Sequence, residues 1–239
     1  KAPQLISTLE TYYREIEFYL DAKFVSPLQL HRLFNNEKEA TLWSEKSDQL
    51  ALEPFMNPRI YTHNNKAVLK QFGMGRVNNT GRVVLTEFIN SLNSYLHNKD
   101  CILEEEFNYD ILDISEAEVT YKDIEAKHII FAEGYHLKKN PWFNYLPLKG
   151  TKGELITIKS NALKLTYPIK SSVLIMPLGN DLYRVGASFN WDDKDCIPTD
   201  EGKKWLISKL EQIINCNFEV IEHDAGIRPT VVDRRPLLG

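Results

Sequence analysis

Apolar positions near the start of the chain recur at helical steps. Leu5, Leu9, Tyr12, Ile16 and Leu20 fall three or four residues apart with polar residues between them, which predicts an amphipathic helix over residues 4–20 with one buried stripe. Between residues 24 and 63 short apolar runs are broken by Pro27, Pro54 and Pro58, and Leu42, Trp43 and Leu50 around a charged stretch predict one further short helix. Residues 66–85 read differently. Ala67-Val68-Leu69, Phe72, Val77 and Val83-Val84-Leu85 are interrupted by Gly73, Gly75, Asn78-Asn79 and Gly81, the pattern of short strands joined by tight turns. Thr86 precedes Glu87 and an apolar face of Phe88, Leu92, Tyr95 and Leu96. Its hydroxyl can accept a bond from a free first-turn amide, so it is the predicted N-cap of a helix over residues 87–97.

The second half changes period. His128-Ile129-Ile130-Phe131-Ala132 is a continuous apolar run ending at Glu133-Gly134, as in a strand covered on both faces, and predicts the central strand of an α/β sheet. Residues 154–159 and 182–189 instead alternate, which predicts half-exposed strands of a second, antiparallel sheet. Pro198-Thr199-Asp200-Glu201 then opens a helix through Trp205, Leu206, Leu210, Ile213 and Ile214, with Thr199 as its cap. No repeat or low-complexity linker separates the two patterns, so the units are expected to interleave with discontinuous boundaries.

Composition adds bounds rather than direction. With 239 residues, 43% hydrophobic and 26% charged, the chain can bury a sizeable core as one large domain or two modest ones. A net charge of −4 gives no global electrostatic reason to expect a nucleic-acid partner or an anionic membrane. No apolar run approaches the roughly 20 residues that cross a bilayer, and the start lacks the layout of a secretion signal, so a soluble, cytoplasmic protein is expected. Cys101, Cys196 and Cys216 are widely spaced without a CxxC, and the six histidines include no i, i+4 pair, so neither a disulfide framework nor a metal site is predicted. GxxxxGK[ST], HExxH, GxSxG, an EF-hand loop and GxGxxG are all absent; Gly73-Met74-Gly75 reads as a turn, and Glu104-Glu105-Glu106 as a solvated charge run.

The last residues carry the candidate chemistry. Arg228 stands between Gly226-Ile227 and Pro229, and a guanidinium held in extended backbone by a following proline suits bidentate grip of a carboxylate. On the residues alone an ordinary surface arginine fits as well. Asp233-Arg234-Arg235-Pro236 likewise reads as a charged turn.

The segment Gly226-Ile227-Arg228-Pro229 followed by Asp233-Arg234 and Pro236-Leu237-Leu238-Gly239 resembles a signature of FAD-dependent D-amino-acid oxidase and glycine oxidase-like enzymes. Three earlier segments resemble that family in the same order: Ile129 to Gly134, then Leu146-Pro147-Leu148 with Lys152-Gly153-Glu154-Leu155, then Met176-Pro177 with Val185-Gly186-Ala187-Ser188. The resemblance implies an α/β plus α+β fold, in which a partial FAD-binding α/β domain interleaves with an antiparallel-sheet substrate domain flanked by helices. Residues 1–80 would be helical and short-strand substrate-domain material and 81–148 part of the FAD-binding domain. Residues 149–222 would be the substrate sheet, with a helix near 200–214, and 223–239 would return to the FAD-binding domain. It further implies that Arg228 clamps a substrate carboxylate, that Gly134, Asp233 and Arg234 adjoin FAD, and that an amine or amino-acid substrate passes hydride from its α-carbon to the flavin N5 before the imine hydrolyses. The family's GxGxxG unit would precede residue 1 and a second glycine-rich segment would follow residue 239. The chain alone is therefore expected to bind FAD poorly and to be an inactive fragment. Two departures stand out: Leu174 where several glycine-oxidase-like members carry tyrosine, and Glu133 where alanine or threonine is usual. A tRNA-modifying oxidase of the same superfamily, which a basic face near Arg228 would favour, and a non-catalytic binding module are the other readings.

Overall fold

Thr199 does what its position predicts. Its side chain accepts a bond from Gly202 N at 3.0 Å and opens helix α4 (Asp200–Glu211), whose Leu206 and Leu210 are fully buried. The computed structural model describes residues 2–69 and 72–231, with side chains from Thr8 onward. In chain order the other elements are α1 (Ala2–Leu20), β1 (Val25–Leu33), α2 (Glu37–Ser47), β2 (Met56–Tyr61), β3 (Met74–Val83), α3 (Leu85–His97), β4 (Leu112–Ile114), β5 (Val119–Tyr121), β6 (Ile124–Ala126), β7 (Lys149–Lys159), β8 (Ile169–Lys170), β9 (Leu174–Gly179), β10 (Leu182–Gly186) and β11 (Glu219–Thr230).

The fold is mixed α/β, with a large, mostly antiparallel sheet of order β11-β7-β10-β9-β8-β1-β3-β2 and a small sheet of order β4-β5-β6. The residues divide into two compact units. Among the described residues, unit 1 comprises 2–69, 72–102, 155–187 and 199–223, and unit 2 comprises 103–154, 188–198 and 224–231. The division falls inside β7 and inside β11, each of which contributes residues to both units.

Unit 1 is built on one row of core residues. Register aligns His31, Ile169, Ile175, Val185 and Ile156 across β1, β8, β9, β10 and β7, and the four aliphatic members are fully buried with Leu206 and Leu210 of α4 in the same cluster. Because side chains alternate along a strand, the next row faces the other way. It consists of Arg32, Lys170, Leu174, Gly186 and Leu155, with Arg184 paired between Met176 and Thr157.

Several expectations need correction. The 66–85 stretch is not a set of short strands: β3 is a single ten-residue strand, and β1 and β2, which the prolines obscured, pair with it. The Asn78-Asn79 signal marks a bulge rather than a turn, since the four β3 residues from Val77 to Thr80 oppose three from Leu30 to Leu28, and Asn79 takes φ 53° there. Thr86 is not a cap. Helix α3 begins one residue earlier, with Val84 at the cap position and no side-chain cap bond, so Thr86 lies within the first turn. Residues 128–132 are not a strand: Ile130 is 88% exposed, and no described strand pairs with the segment. The β7 alternation was expected to leave one face wet, yet nine of its eleven residues are buried or half-buried.

Helix α1 forms as predicted, with Ile16 and Leu20 half-buried, but not all of its apolar stripe is covered. Leu9 and Tyr12 are 50% and 59% exposed, whereas Glu17 is 1% exposed. The Glu17 carboxylate accepts from Phe24 N at 2.7 Å and Val25 N at 2.8 Å, filling the amides that lead into β1, and Arg14 donates to it at 2.8 Å. These bonds, the one from Val25 foremost, pull the Glu17 pKa from 4.5 to about 2.

Candidate functional site

Arg228 lies in the unit 2 part of β11, exposed, with its guanidinium carbon 5.6 Å from the centre of the Phe189 ring. Phe189 is itself 62% exposed. A cation over an aromatic face at this exposure is stabilised by roughly 0.5–1 kcal/mol, enough to orient the side chain while leaving its outward N–H groups available to an anion.

Behind this pair the backbones of β7 and β11 approach closely. A Cβ on Gly150 would fall 2.6 Å from the Tyr135 ring and 2.8 Å from Ile227 Cγ2, so only glycine fits. The hydroxyls of Thr151 and Thr230 meet at 3.0 Å, and Thr230 also donates to the Lys149 carbonyl at 2.5 Å. Residues 188–198 are fastened to β7 by a buried cation. Lys152 bonds Asp193 and, at 2.6 Å, Asp195, while its backbone exchanges two bonds with Asn190. Burial pushes the Lys152 pKa down, but the two carboxylates outweigh it and the ammonium ends above its ordinary range. The bond from Lys152 holds Asp193 below its own ordinary value.

The same segment walls a cavity of about 480 Å³ lined by Tyr135, Leu148, Lys149, Gly150, Trp191 and Lys194. Lys194 donates to the Gly150 carbonyl at 2.8 Å and to the Trp191 carbonyl, which pins both walls. Tyr135 follows Gly134, whose φ of 58° starts a 3-10 turn over Gly134–Lys139; no atom lies within 4 Å of where its Cβ would be. Glu133 is not idle either. It accepts from the Tyr109 hydroxyl and, at 2.9 Å, from Asn140 Nδ2, inside a cluster in which Phe131 and Trp142 stack at 5.8 Å. Its bond raises the Tyr109 pKa to about 12.

Of the residues singled out from sequence, the structure describes Arg228 and Gly134; Asp233 and Arg234 lie outside the described residues. Reading the sequence missed Phe189, Trp191, Lys194 and the Lys152–Asp193–Asp195 set. The only signal was the Lys152-Gly153-Glu154-Leu155 motif, which marked the strand but not the partners its lysine would find. The three cysteines are free, and among the described residues no group of three or more His, Cys, Asp or Glu side chains could hold a metal ion. No described helix is long and apolar enough to cross a membrane.

No protein-family model matches the chain. A 122-residue segment is 30% identical to the tRNA 5-methylaminomethyl-2-thiouridine biosynthesis bifunctional protein MnmC of Legionella pneumophila (strain Corby), covering 49% of this chain and 18% of that protein. The protein of the same name from Campylobacter jejuni subsp. doylei is 26% identical over 113 residues, again 18% of its length. The matched part is thus less than a fifth of these relatives. Among solved structures, glycine oxidase from Bacillus cereus ATCC 14579 aligns over 100% of this chain and 70% of its own with a TM-score of 0.80 at 15% identity. L-proline dehydrogenase from P. horikoshii aligns over 98% and 69%, with a TM-score of 0.77 at 12% identity. The chain has the fold of these amino- and imino-acid oxidoreductases, and the resemblance read from its motifs holds at that level.

Proposed function

We propose that the protein takes part in the flavin-dependent oxidation of a carbon–nitrogen bond in an amine or amino-acid-like substrate. The observation that carries this reading is the Arg228–Phe189 pair: an oriented, exposed guanidinium on the segment that resembles the substrate clamp, in a chain whose fold matches glycine oxidase along its whole length.

FAD fits this site at one end. The cavity beside Gly150 has two planar aromatic walls, Tyr135 and Trp191, and two cations, Lys149 and Lys194, a donor set suited to a ring system with carbonyl oxygens. Bound there, FAD would supply the hydride acceptor. This chain's residues do the rest: Arg228 orients the substrate through its anionic group, Phe189 holds Arg228 in place, and the Lys152–aspartate anchor keeps residues 188–198 against β7.

The 30% identity to MnmC supports a second reading in which the amine is carried on tRNA. It speaks against the expectation, based on net charge alone, that nucleic acid is not a partner.

Loading the protein with FAD and mixing it anaerobically with free amines and amino acids tests the main reading. Bleaching of the flavin's visible absorbance is expected. Arg228→Ala should lower kcat/KM for a carboxylate substrate about ten- to a hundredfold, as for a lost charged hydrogen bond of roughly 1.5–3 kcal/mol. Flavin that no amine bleaches sinks the proposal, and unchanged kinetics in the variant removes Arg228 from it.

A further inference from the structure

The face of the unit 1 sheet turned away from α4 carries cations on four strands: Arg32 on β1, Arg82 on β3, Lys170 on β8 and Arg184 on β10. Arg32 and Lys170 are direct partners in the register of β1 and β8, and Arg184 sits two positions along β10 from Gly186, which belongs to the same row. On β3 the bulge at Asn78-Asn79 shifts the alternation, so that Thr80 and Arg82 pair with Leu28 and Ser26 and join the face of Arg32. Arg82 reaches across β1 to donate to the Pro177 carbonyl of β9 at 3.4 Å.

Like charges placed directly opposite each other in a sheet are destabilising, and these are half-buried. Glu39 lies 3.3 Å from Arg32 and Glu222 lies 3.5 Å from Arg184. Burial first, and then Arg32, lower the Lys170 pKa, so the pair stands where each cation works against the other. An arrangement that costs stability in the free protein is relieved by an anionic ligand.

The spread of the set identifies the ligand. From β10 to β3 is four strand spacings, about 19 Å at ~4.8 Å each. A free amino acid offers one carboxylate and spans a fraction of that distance, whereas a nucleic-acid strand carries a phosphate at every nucleotide. We propose that Arg32, Lys170, Arg184 and Arg82 form a phosphate-reading surface for the backbone of an RNA. This rests on the tRNA reading of the function and gives it a place in the fold. The surface positions its ligand through the backbone and carries no base specificity of its own.

The test is binding of an unmodified tRNA transcript to the full chain by fluorescence anisotropy, at salt from about 50 to 200 mM. The wild type should bind with affinity falling linearly in log salt. Lys170→Gln and Arg184→Gln should each weaken binding about fivefold near 0.1 M salt and shallow the slope by roughly 0.7, one phosphate contact on a single strand. Lys209→Gln, on α4, should leave both unchanged. Melting temperature separates recognition from folding: Lys170→Gln should melt no lower than wild type, because it removes a repelled and partly buried charge, while its binding falls. A tRNA that does not bind the wild type, or binds both sheet variants with unaltered affinity and slope, overturns the proposal. Flavin bleaching by free amines, measured alongside, reports on the oxidation chemistry independently.

Discussion

The ammonium of Lys152 stands 2.6 Å from the Asp195 carboxylate and also bonds Asp193, although only 1% of the lysine side chain is exposed against 28% and 53% for the two aspartates. The asymmetry of exposure sets the outcome of mutation. Lys152→Met frees two carboxylates that can take up water, whereas Asp193→Asn with Asp195→Asn strands a cation in the interior. Denaturant midpoints should therefore fall further for the double aspartate variant than for Lys152→Met. The opposite order would show that the lysine's packing, not its charge, holds residues 188–198.

Gly150 and Gly134 make a second pair of contrasting predictions. Gly150→Ala drives a methyl into Tyr135 and Ile227 and should cost about 1–3 kcal/mol, part of which Ile227→Ala should restore in the double variant. Gly134→Ala meets no neighbour, and its cost of about 1–2 kcal/mol should come from the positive φ alone, with no rescue by trimming side chains. Urea unfolding of the three variants distinguishes the two causes.

The depressed Glu17 carboxyl predicts an acid response. Its folded pKa of about 2 lies below the ordinary 4.5, so the stability it contributes is present above pH 4.5 and is lost as pH falls toward 2. Glu17→Gln should be less stable than wild type near neutrality and should show a flatter dependence through that window. Parallel wild-type and variant curves between pH 4.5 and 2 would mean the carboxylate is not what holds the entry to β1.

The two threonines proposed as helix caps should behave unequally. Thr199→Ala removes a bond to Gly202 N and should cost about 1 kcal/mol, while Thr86→Ala, inside the first turn of α3, should change stability by less than about 0.5 kcal/mol. Thermal melts of the two variants decide it.

Much of unit 1 was legible because periodicity reports burial wherever one face of an element is covered. Helices α1, α2, α3 and α4 and strands β7, β9 and β10 fall where the pattern or the motifs put them. β1 escaped notice because Pro27 breaks its pattern, and β3 because Asn78-Asn79 and Gly81 have the chemistry of a turn, which a bulge shares. Residues 128–132 misled for the converse reason: an apolar run records what a segment can bury, while a strand also requires a neighbour's backbone. In the candidate site, local sequence pointed to Arg228 and Gly134. Phe189, Trp191 and Lys194 are brought to β7 by contacts some 40 residues apart, Lys152 to Asp193 and Lys194 to Gly150 among them, that no local pattern encodes.

The strand order also bears on what the protein avoids becoming. Among the described residues the large sheet ends on β11 and on β2, and each of these outermost strands contains a proline, Pro229 and Pro58. A ring nitrogen has no hydrogen to offer, and its fixed φ limits how far either strand can flatten into a longer ladder. Two imino acids far apart in the sequence thereby occupy the two places where edge-to-edge growth would begin.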